Sequence, residues 1–394
     1  MPLYSFGSNS ASQLSLSHTN DVSIPTSCLF DPSSAPPPPI PPQSIVAGGN
    51  HTLLLFPSGE VYVTGANSSG QCALPHTEVG TQIPCFRRLP NPPPLHNGNS
   101  GAYDISLKWG FLAAGWEFSV LATADGKRVF SCGAGSRGEL GLGSHIISTL
   151  GLDIPPIPGT TLHMIPNFPP TNTHITSLAC SITHVIVVLN TSAVYGWGSS
   201  RKGQLSPPSL GAQPQPLKVA HSPTLISPLP FPVARAACTQ ETTFLISATG
   251  DQHILLGSQS PKWGLRENSP PQGALIGFRK IESAWNGIYI LMGDGSVIAW
   301  GRGERGQLPE SLTAVDILAI GSEHGVAVLR TGEEAEGRLV AWGWGEHGNC
   351  GKLERGGNDV ASLRDVEVPR QGKRKRIKCV GAGCATSWVW VDWE

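Results

Sequence analysis

Short apolar runs separated by glycine-bearing turns recur along the whole chain in a fixed order. Each unit has an apolar segment ending in Ala or Gly, a polar gap that often holds His, an apolar run and a Gly-containing turn. A second apolar run ending in an aromatic plus Gly follows, then a polar turn ending in Leu. The first full copy starts near residue 45 and contains His51, Leu53, Phe56, Val61, Val63, Gly65 and Gln71; further copies start near 112, 177, 235, 281 and 317. Apolar runs this short, bounded by turn residues, predict strands, and their repetition predicts an array of small sheets. The copies near 177, 281 and 317 carry Trp197-Gly198, Trp300-Gly301 and Trp342-Gly343, whereas the copy near 235 is degenerate.

A seventh copy starts near 377 and reaches Trp388 and Trp390, where the chain stops before the second half of the unit. That half stands at the other end, as Tyr4, Phe6, Gly7, Gln13 and Leu14. Six whole units plus one split between residues 1–20 and 377–394 predict a single all-β, seven-bladed propeller over residues 1–394. Pairing the N-terminal strand into the blade begun by the C-terminus leaves no unpaired end blade. Asp125-Gly126 and Asp294-Gly295 suit turns that need positive φ, and the strand-end glycines are expected to permit close approach near the axis. Pro-rich inserts near 24–42, 75–100, 144–173 and 206–232 occupy one position in the repeat, which predicts irregular loops on one rim. The run from Pro36 to Pro42 is a PxxP match, with a loop expansion the preferred reading.

Composition narrows the field further. The chain of 394 residues has 47 glycines and 35 prolines, with 14% charged residues against about 25% in an average protein. Exposed helices need more charge and fewer helix breakers, so a helical bundle or coiled coil is excluded. With 39% hydrophobic residues and 11 Trp, full disorder is excluded too. A formal net charge of −1 provides no global field for nucleic acid or an anionic membrane, so neither is an expected direct partner. The one dense basic run, Lys373 to Arg376, reads as a solvated loop ahead of a nuclear localisation signal. Nine scattered cysteines without a CxxC fit neither a disulfide framework nor a zinc ribbon. The start at Met1 has no basic leader, and the longest apolar run, Val185 to Leu189, is far too short to span a bilayer. A soluble chain in a reducing cytosolic or nuclear compartment is the expectation.

A P-loop, GxSxG and HExxH are missing from the sequence, so a non-catalytic chain without cofactor is expected. His324, His347, Cys350 and Cys384 include metal-ligand chemistry, but their spacing is loose and no metal site is assigned. Cys384 reads as a small buried hydrophobe and His324 sits where a hydrogen-bonding core role is common. One aromatic before each strand-end Gly serves blade packing, which covers Trp197, Trp300 and Trp342. Trp344 exceeds that need, and its neighbours Glu346, His347 and Asn349 give it the composition of an interface hot spot. Glu323 and His324, Trp285 and Asn286, and Trp116 and Glu117 flank polar gaps that open toward one face. The candidate partner-binding set is therefore Glu323, His324, Trp344, Glu346, His347, Asn349, Trp285 and Trp116.

The Ala/Gly-x-x-His, Trp-Gly and Gly-Gln-Leu pattern resembles the propellers of the regulator of chromosome condensation superfamily across essentially the whole chain. The block from Ala341 to Gly351, with Ile320 to Gly325, Gly383 to Trp388 and the opening Tyr4 to Asn9, is similar to one branch, the fungal alpha-tubulin suppressor or killer-toxin-insensitivity family. That resemblance implies a binding subunit for the small CSL-type zinc or iron protein of the diphthamide pathway, an electron carrier. It further implies a supporting role in diphthamide synthesis on elongation factor 2 and in Elongator-dependent modification of tRNA wobble uridines, reached indirectly through Elongator or the diphthamide radical enzymes. The chain departs from the pattern in its Pro-rich inserts and weak fourth blade. The superfamily also implies an alternative, guanine nucleotide exchange on a small GTPase, although the sequence offers no wedge hairpin and no basic tail for it.

Overall fold

Strand pairing in the computed structural model, which describes residues 2–93, 107–144, 156–157, 159–207, 217–331, 337–352, 359–372 and 375–393, follows the repeat. Seven antiparallel sheets form a ring in which the innermost strand of each touches that of the next and the last touches the first. From the axis outward, blade 1 comprises Ser44–Ala47, His51–Leu55, Val61–Asn67 and Thr81–Arg88. Blade 2 comprises Trp109–Ala114, Phe118–Thr123, Val129–Gly133 and His163–Met164; blade 3, Ile175–Cys180, His184–Leu189, Val194–Ser199 and Val219–Leu225. Blades 4 and 5 have three strands each among the described residues: Arg235–Cys238, Thr242–Ile246 and His253–Gly257, then Phe278–Ala284, Gly287–Met292 and Val297–Gly301. Blade 6 comprises Val315–Ile320, His324–Leu329, Arg338–Trp344 and Asp359–Asp365.

Blade 7 is the split one. Lys375–Ala382 and Thr386–Trp393 come from the C-terminal end, Leu3–Gly7 and Val22–Ser27 from the N-terminal end, with Leu3 opposite Trp390 and Gly7 opposite Thr386. Each blade is sandwiched between two others, so its second strand is covered on both faces. This is why the second strands read as unbroken apolar runs rather than alternating ones, as in the fully buried His184–Leu189. Fully burying a Val or Leu contributes about 1.5–3 kcal/mol, and these strands supply much of the core.

Two sequence expectations need correction. The Pro-rich inserts are not simply irregular: Val22–Ser27, Thr81–Arg88, His163–Met164 and Val219–Leu225, the outer strands of four blades, lie in or overlap them. Pro25, Pro84 and Pro223 sit in bulges opposite Phe6, Thr64 and Trp197. An outer strand pairs on one edge only, so a residue without an N–H is tolerated there, and it blunts the open edge against further pairing. Lys375 and Arg376 open the innermost strand of blade 7 rather than lying in a loop, while Lys373 and Arg374 lie outside the described residues.

The strand-end glycines also act elsewhere than expected. Gly343 has φ of 100°, and a Cβ there would stand 2.6 Å from the Glu323 carbonyl oxygen, inside the same blade rather than at the axis. The bend lets the Trp344 N–H donate to that oxygen at 2.9 Å. Gly7, Gly65, Gly133, Gly198, Gly257 and Gly301 repeat it with positive φ, and the residue after each donates to the residue before the second strand at 2.8–3.0 Å.

Blades are joined by a buried relay. His51 Nε2 lies 2.9 Å from Ser119 Oγ of blade 2, whose hydroxyl donates back to the Gln71 carbonyl of blade 1 at 2.8 Å. His184, Thr243 and Gln204 repeat this between blades 3 and 4, and His324, Ser387 and Asn349 between blades 6 and 7. Each hydroxyl spends its one hydrogen on the carbonyl, so the imidazole is the donor through Nε2–H. Burial lowers the pKa of all three histidines from 6.5 to about 4.

That shift fixes the sign of an acid response. Unfolded histidines take up protons below pH 6.5 while the folded ones resist until about pH 4. The stability tied to them is complete above pH 6.5 and is lost as pH falls through that window, by up to about 1.4 kcal/mol per pH unit for each. Urea unfolding measured from pH 7 to 4 is expected to show this decline, with a shallower slope for His324→Gln; an unchanged slope would refute the assignment.

Candidate partner-binding face

Strands alternate in direction, so the link from first to second strand and the link from third to fourth emerge at the same end of every blade. One face of the ring carries both sets of loops. The inner set is stitched by backbone bonds: Gly49 N–H to the Trp116 carbonyl at 3.0 Å, Trp116 N–H to Ile182 at 3.2 Å, Gln240 N–H to Trp285 at 2.7 Å, Trp285 N–H to Ser322 at 3.1 Å and Ser322 N–H to Gly383 at 2.9 Å. Side chains here are free for other uses. Trp116 of blade 2 and Trp285 of blade 5 meet with ring centroids 5.9 Å apart and planes at 50°, and Trp116 is 41% exposed. Against this pair open an axial cavity of about 110 Å³, lined in part by Ala47, Cys180, Cys238, Ala284 and Cys384, and a cleft of about 410 Å³ beside Glu117, Arg137 and Gln240. Burial pushes the Cys180, Cys238 and Cys384 thiols up, which keeps them protonated and poorly nucleophilic at neutral pH.

A second patch spans the outer loops of blades 5, 6 and 7. Trp344, placed by the Gly343 bend, is half-buried; the Arg305 guanidinium lies 5.2 Å over its ring and the His347 imidazole 5.9 Å away, edge-on. His347 Nδ1 is 2.8 Å from Asp21 Oδ2, a contact between blade 6 and the N-terminal part of blade 7. Glu346 is exposed, and the Trp344 indole N–H is buried without an acceptor among the described residues.

The eight candidates thus fall into three places. Trp116 and Trp285 form the central pair, and Trp344, Glu346 and His347 form the outer patch. Glu323, His324 and Asn349 are buried, at 7%, 2% and 1% exposure; Glu323 and Asn349 do not stand free at the surface as their polar setting suggested, while His324 takes the hydrogen-bonding core role expected of its position. Glu323 pairs with Arg302, His324 serves the relay, and Asn349 Nδ2 donates to the Trp344 carbonyl at 2.8 Å, holding the loop that carries the indole. Cys350 is buried with its Sγ 3.4 Å from the Trp342 carbonyl and its thiol pushed up to about 12 by burial. Among the described residues no group of three His, Cys, Asp or Glu is placed to hold a metal, and no helix is long and apolar enough to cross a membrane.

Sequence reasoning gave no site role to five members of this face. Arg302 joins Glu323, bonds Glu304 at 3.0 Å and lies 4.6 Å over Trp263; Lys262 lies 4.4 Å over the same ring. Trp263 was visible in the Trp263-Gly264-Leu265 that follows the second apolar run of the degenerate copy, and it sits in that outer turn. Arg305 and Asp21 carried no local signal, because their partners lie in other repeats.

The sequence model of the Regulator of chromosome condensation (RCC1) repeat matches residues 43–71. An RCC1 repeat-containing protein of Schizosaccharomyces pombe is 31% identical over 99% of this chain and 99% of its own. A secretion-regulating guanine nucleotide exchange factor of Mus musculus is 25% identical, covering 89% of this chain and 75% of the relative. Among solved structures, yeast RCC1 (Prp20) bound to Kap60 is similar with a TM-score of 0.73 at 20% identity, over 100% of this chain and 89% of the other. Human WBSCR16 is similar with a TM-score of 0.72 at 17% identity over 99% of both chains. At these identities the structural likeness speaks to the propeller fold.

The Arg302–Glu323 pair, with side chains 20% and 9% exposed, is largely shielded from water. Glu323→Ala leaves the guanidinium partly buried beside one remaining carboxylate, and is expected to cost about 1–3 kcal/mol in urea unfolding and to alter Trp263 fluorescence. Unchanged stability and emission would show that the pair does not organise this loop.

Proposed function

The chain belongs to the regulator of chromosome condensation (RCC1) repeat family, and from that premise we propose that it is a non-catalytic binding subunit for the small CSL-type metal protein of the diphthamide pathway. The observation that carries this reading is the outer patch, where Trp344, Glu346 and His347 project from the eleven-residue block that most resembles the alpha-tubulin suppressor branch. The block exceeds what the blade requires. Trp342 already fills the packing position, fully buried with Nε1 donating to the Gln307 carbonyl at 2.9 Å, whereas Trp344 stands half-buried beside an exposed glutamate. A rigid aromatic with charged neighbours is the composition from which interface hot spots are built.

In this reading the propeller covers or orients the partner's metal, so that electrons pass to the radical enzymes of diphthamide synthesis and of wobble-uridine modification. The protein's own task is docking: the Gly343 bend and the Asn349 amide fix the Trp344 backbone, and Asp21 holds the His347 ring. Preorganisation of this kind lowers the ordering cost of association. A second reading, exchange on a small GTPase, is favoured by the similarity to a relative named as an exchange factor over most of the chain.

Co-purification with the small metal protein tests the first reading. Complex formation by the unaltered chain is expected, with Trp344→Ala and Glu346→Lys together weakening it by about thirtyfold while circular dichroism is unchanged. An undiminished complex in the double variant would discard the patch. No complex, together with accelerated nucleotide release from a member of a GTPase panel, would establish the exchange reading instead.

A further inference from the structure

The cleft beside Trp116 and Trp285 holds a charge that the outer patch does not explain. In four blades the turn after the third strand contains a buried glutamine, Gln13, Gln71, Gln204 or Gln307, whose Oε1 accepts from the N–H two residues earlier at 2.8–2.9 Å. Blade 2 has Glu139 at this place. Its Oε2 does the same work, accepting from the Arg137 N–H at 2.6 Å, so its second oxygen stands where the glutamines carry an NH2. Glu139 is only 7% exposed, yet it lines the cleft of about 410 Å³ that opens against Trp116.

The carboxylate is short of positive charge. Burial pushes the Glu139 carboxyl above its ordinary range although Arg137 and His221 act in the opposite direction. Glu139 and Glu117 have no ion-pair partner among the described residues, whereas Glu241, next to the cleft residue Gln240, is already matched by Lys202 at 3.5 Å. Arg137 is the one Lys or Arg among the lining residues, and it is exposed on the rim, so the lining holds two carboxylates to one guanidinium. The opposite wall is aromatic, with Trp116 itself 41% exposed.

We infer that this cleft receives a basic side chain, lysine or arginine, of a partner protein, its charged end toward Glu139 and its stem along Trp116 and Trp285. A long basic side chain suits both walls, because its methylenes cover apolar surface while its cation meets the carboxylate and the face of an indole. A bare metal ion fits less well, since no group of three His, Cys, Asp or Glu is placed to hold one among the described residues. The inference deepens the binding-subunit reading by naming a side chain of what docks on this face, and it rests on that reading for the partner. Its test uses peptides and leaves Trp344 untouched, so either can fail alone.

Acetyl-Gly-Lys-Gly-amide and acetyl-Gly-Arg-Gly-amide, titrated into the full chain and followed by tryptophan emission, are expected to bind saturably, and the tighter of the two names the side chain. The same peptide with norleucine, which keeps the stem and drops the charge, is expected to bind about tenfold more weakly. Glu139→Gln supplies the amide that four other blades use, so the urea midpoint is expected to hold while binding of the basic peptide falls by about tenfold. Trp116→Leu is expected to weaken binding a few-fold, and Arg137→Ser to tighten it by removing a like charge. No saturable binding overturns the inference, as does equal binding of the norleucine peptide or an unchanged affinity in Glu139→Gln. So does tighter binding of acetyl-Gly-Glu-Gly-amide, which would assign the cleft to Arg137 and an acidic side chain.

Discussion

One backbone bond governs the candidate face: the N–H after each strand-end glycine donates to the carbonyl before the second strand. In blade 6 the pair is Trp344 to Glu323, in blade 5 Arg302 to Asn286, in blade 2 Ala134 to Glu117. The bond needs the preceding residue at positive φ with a carbonyl oxygen where a Cβ would be, and only glycine provides both. It is the reason the strand-end glycine survives in the degenerate fourth copy as Gly257, although Leu256 stands there in place of the aromatic. It also ties the two loop sets together, so that neither can move without the other.

Between blades the constraint is different. The His–hydroxyl–carbonyl relay occurs where a His-bearing blade is followed by one with Ser or Thr at the next position. Between blades 2 and 3 the same places hold Phe118 and Val185, both buried, and the junction is closed instead by Trp197 Nε1 donating to the Glu139 carbonyl at 2.8 Å. Polar relay and indole bond are two solutions to one problem: the turn carbonyl of each blade is buried by the next and must find a donor. The blades therefore tolerate different residues at equivalent places as long as one donor is supplied.

The ring was legible because its period, glycines and split copy are local facts of sequence. The outer strands were not, because proline counts against a strand in any local reading, and only the open edge of a ring blade makes Pro25, Pro84 and Pro223 acceptable. At the candidate site, Trp344 was read as an aromatic beyond packing need, and Trp116 and Trp285 as members of polar gaps that open toward one face. Glu323 and Asn349 were read as surface because polar residues in a turn usually are; their partners, Arg302 and the Trp344 carbonyl, are set by the three-dimensional course of the loops. Asp21 and His347 are 326 positions apart and no pattern within a repeat relates them.

That last contact places the outer patch on the closure seam. The turn holding Glu346 and His347 rests on the outer strand of blade 7, and a Cβ on Gly348 would come within 2.8 Å of the Ser23 Cα. Val22–Ser27 reaches this position only because Leu3–Gly7 has paired with Thr386–Trp393. Half of the support for the patch is thus supplied by the first part of the chain and half by the last. An open ring has the same Trp344 in its sequence but lacks the floor beneath it and the carboxylate that orients His347. Presentation of the patch is consequently coupled to completion of the fold.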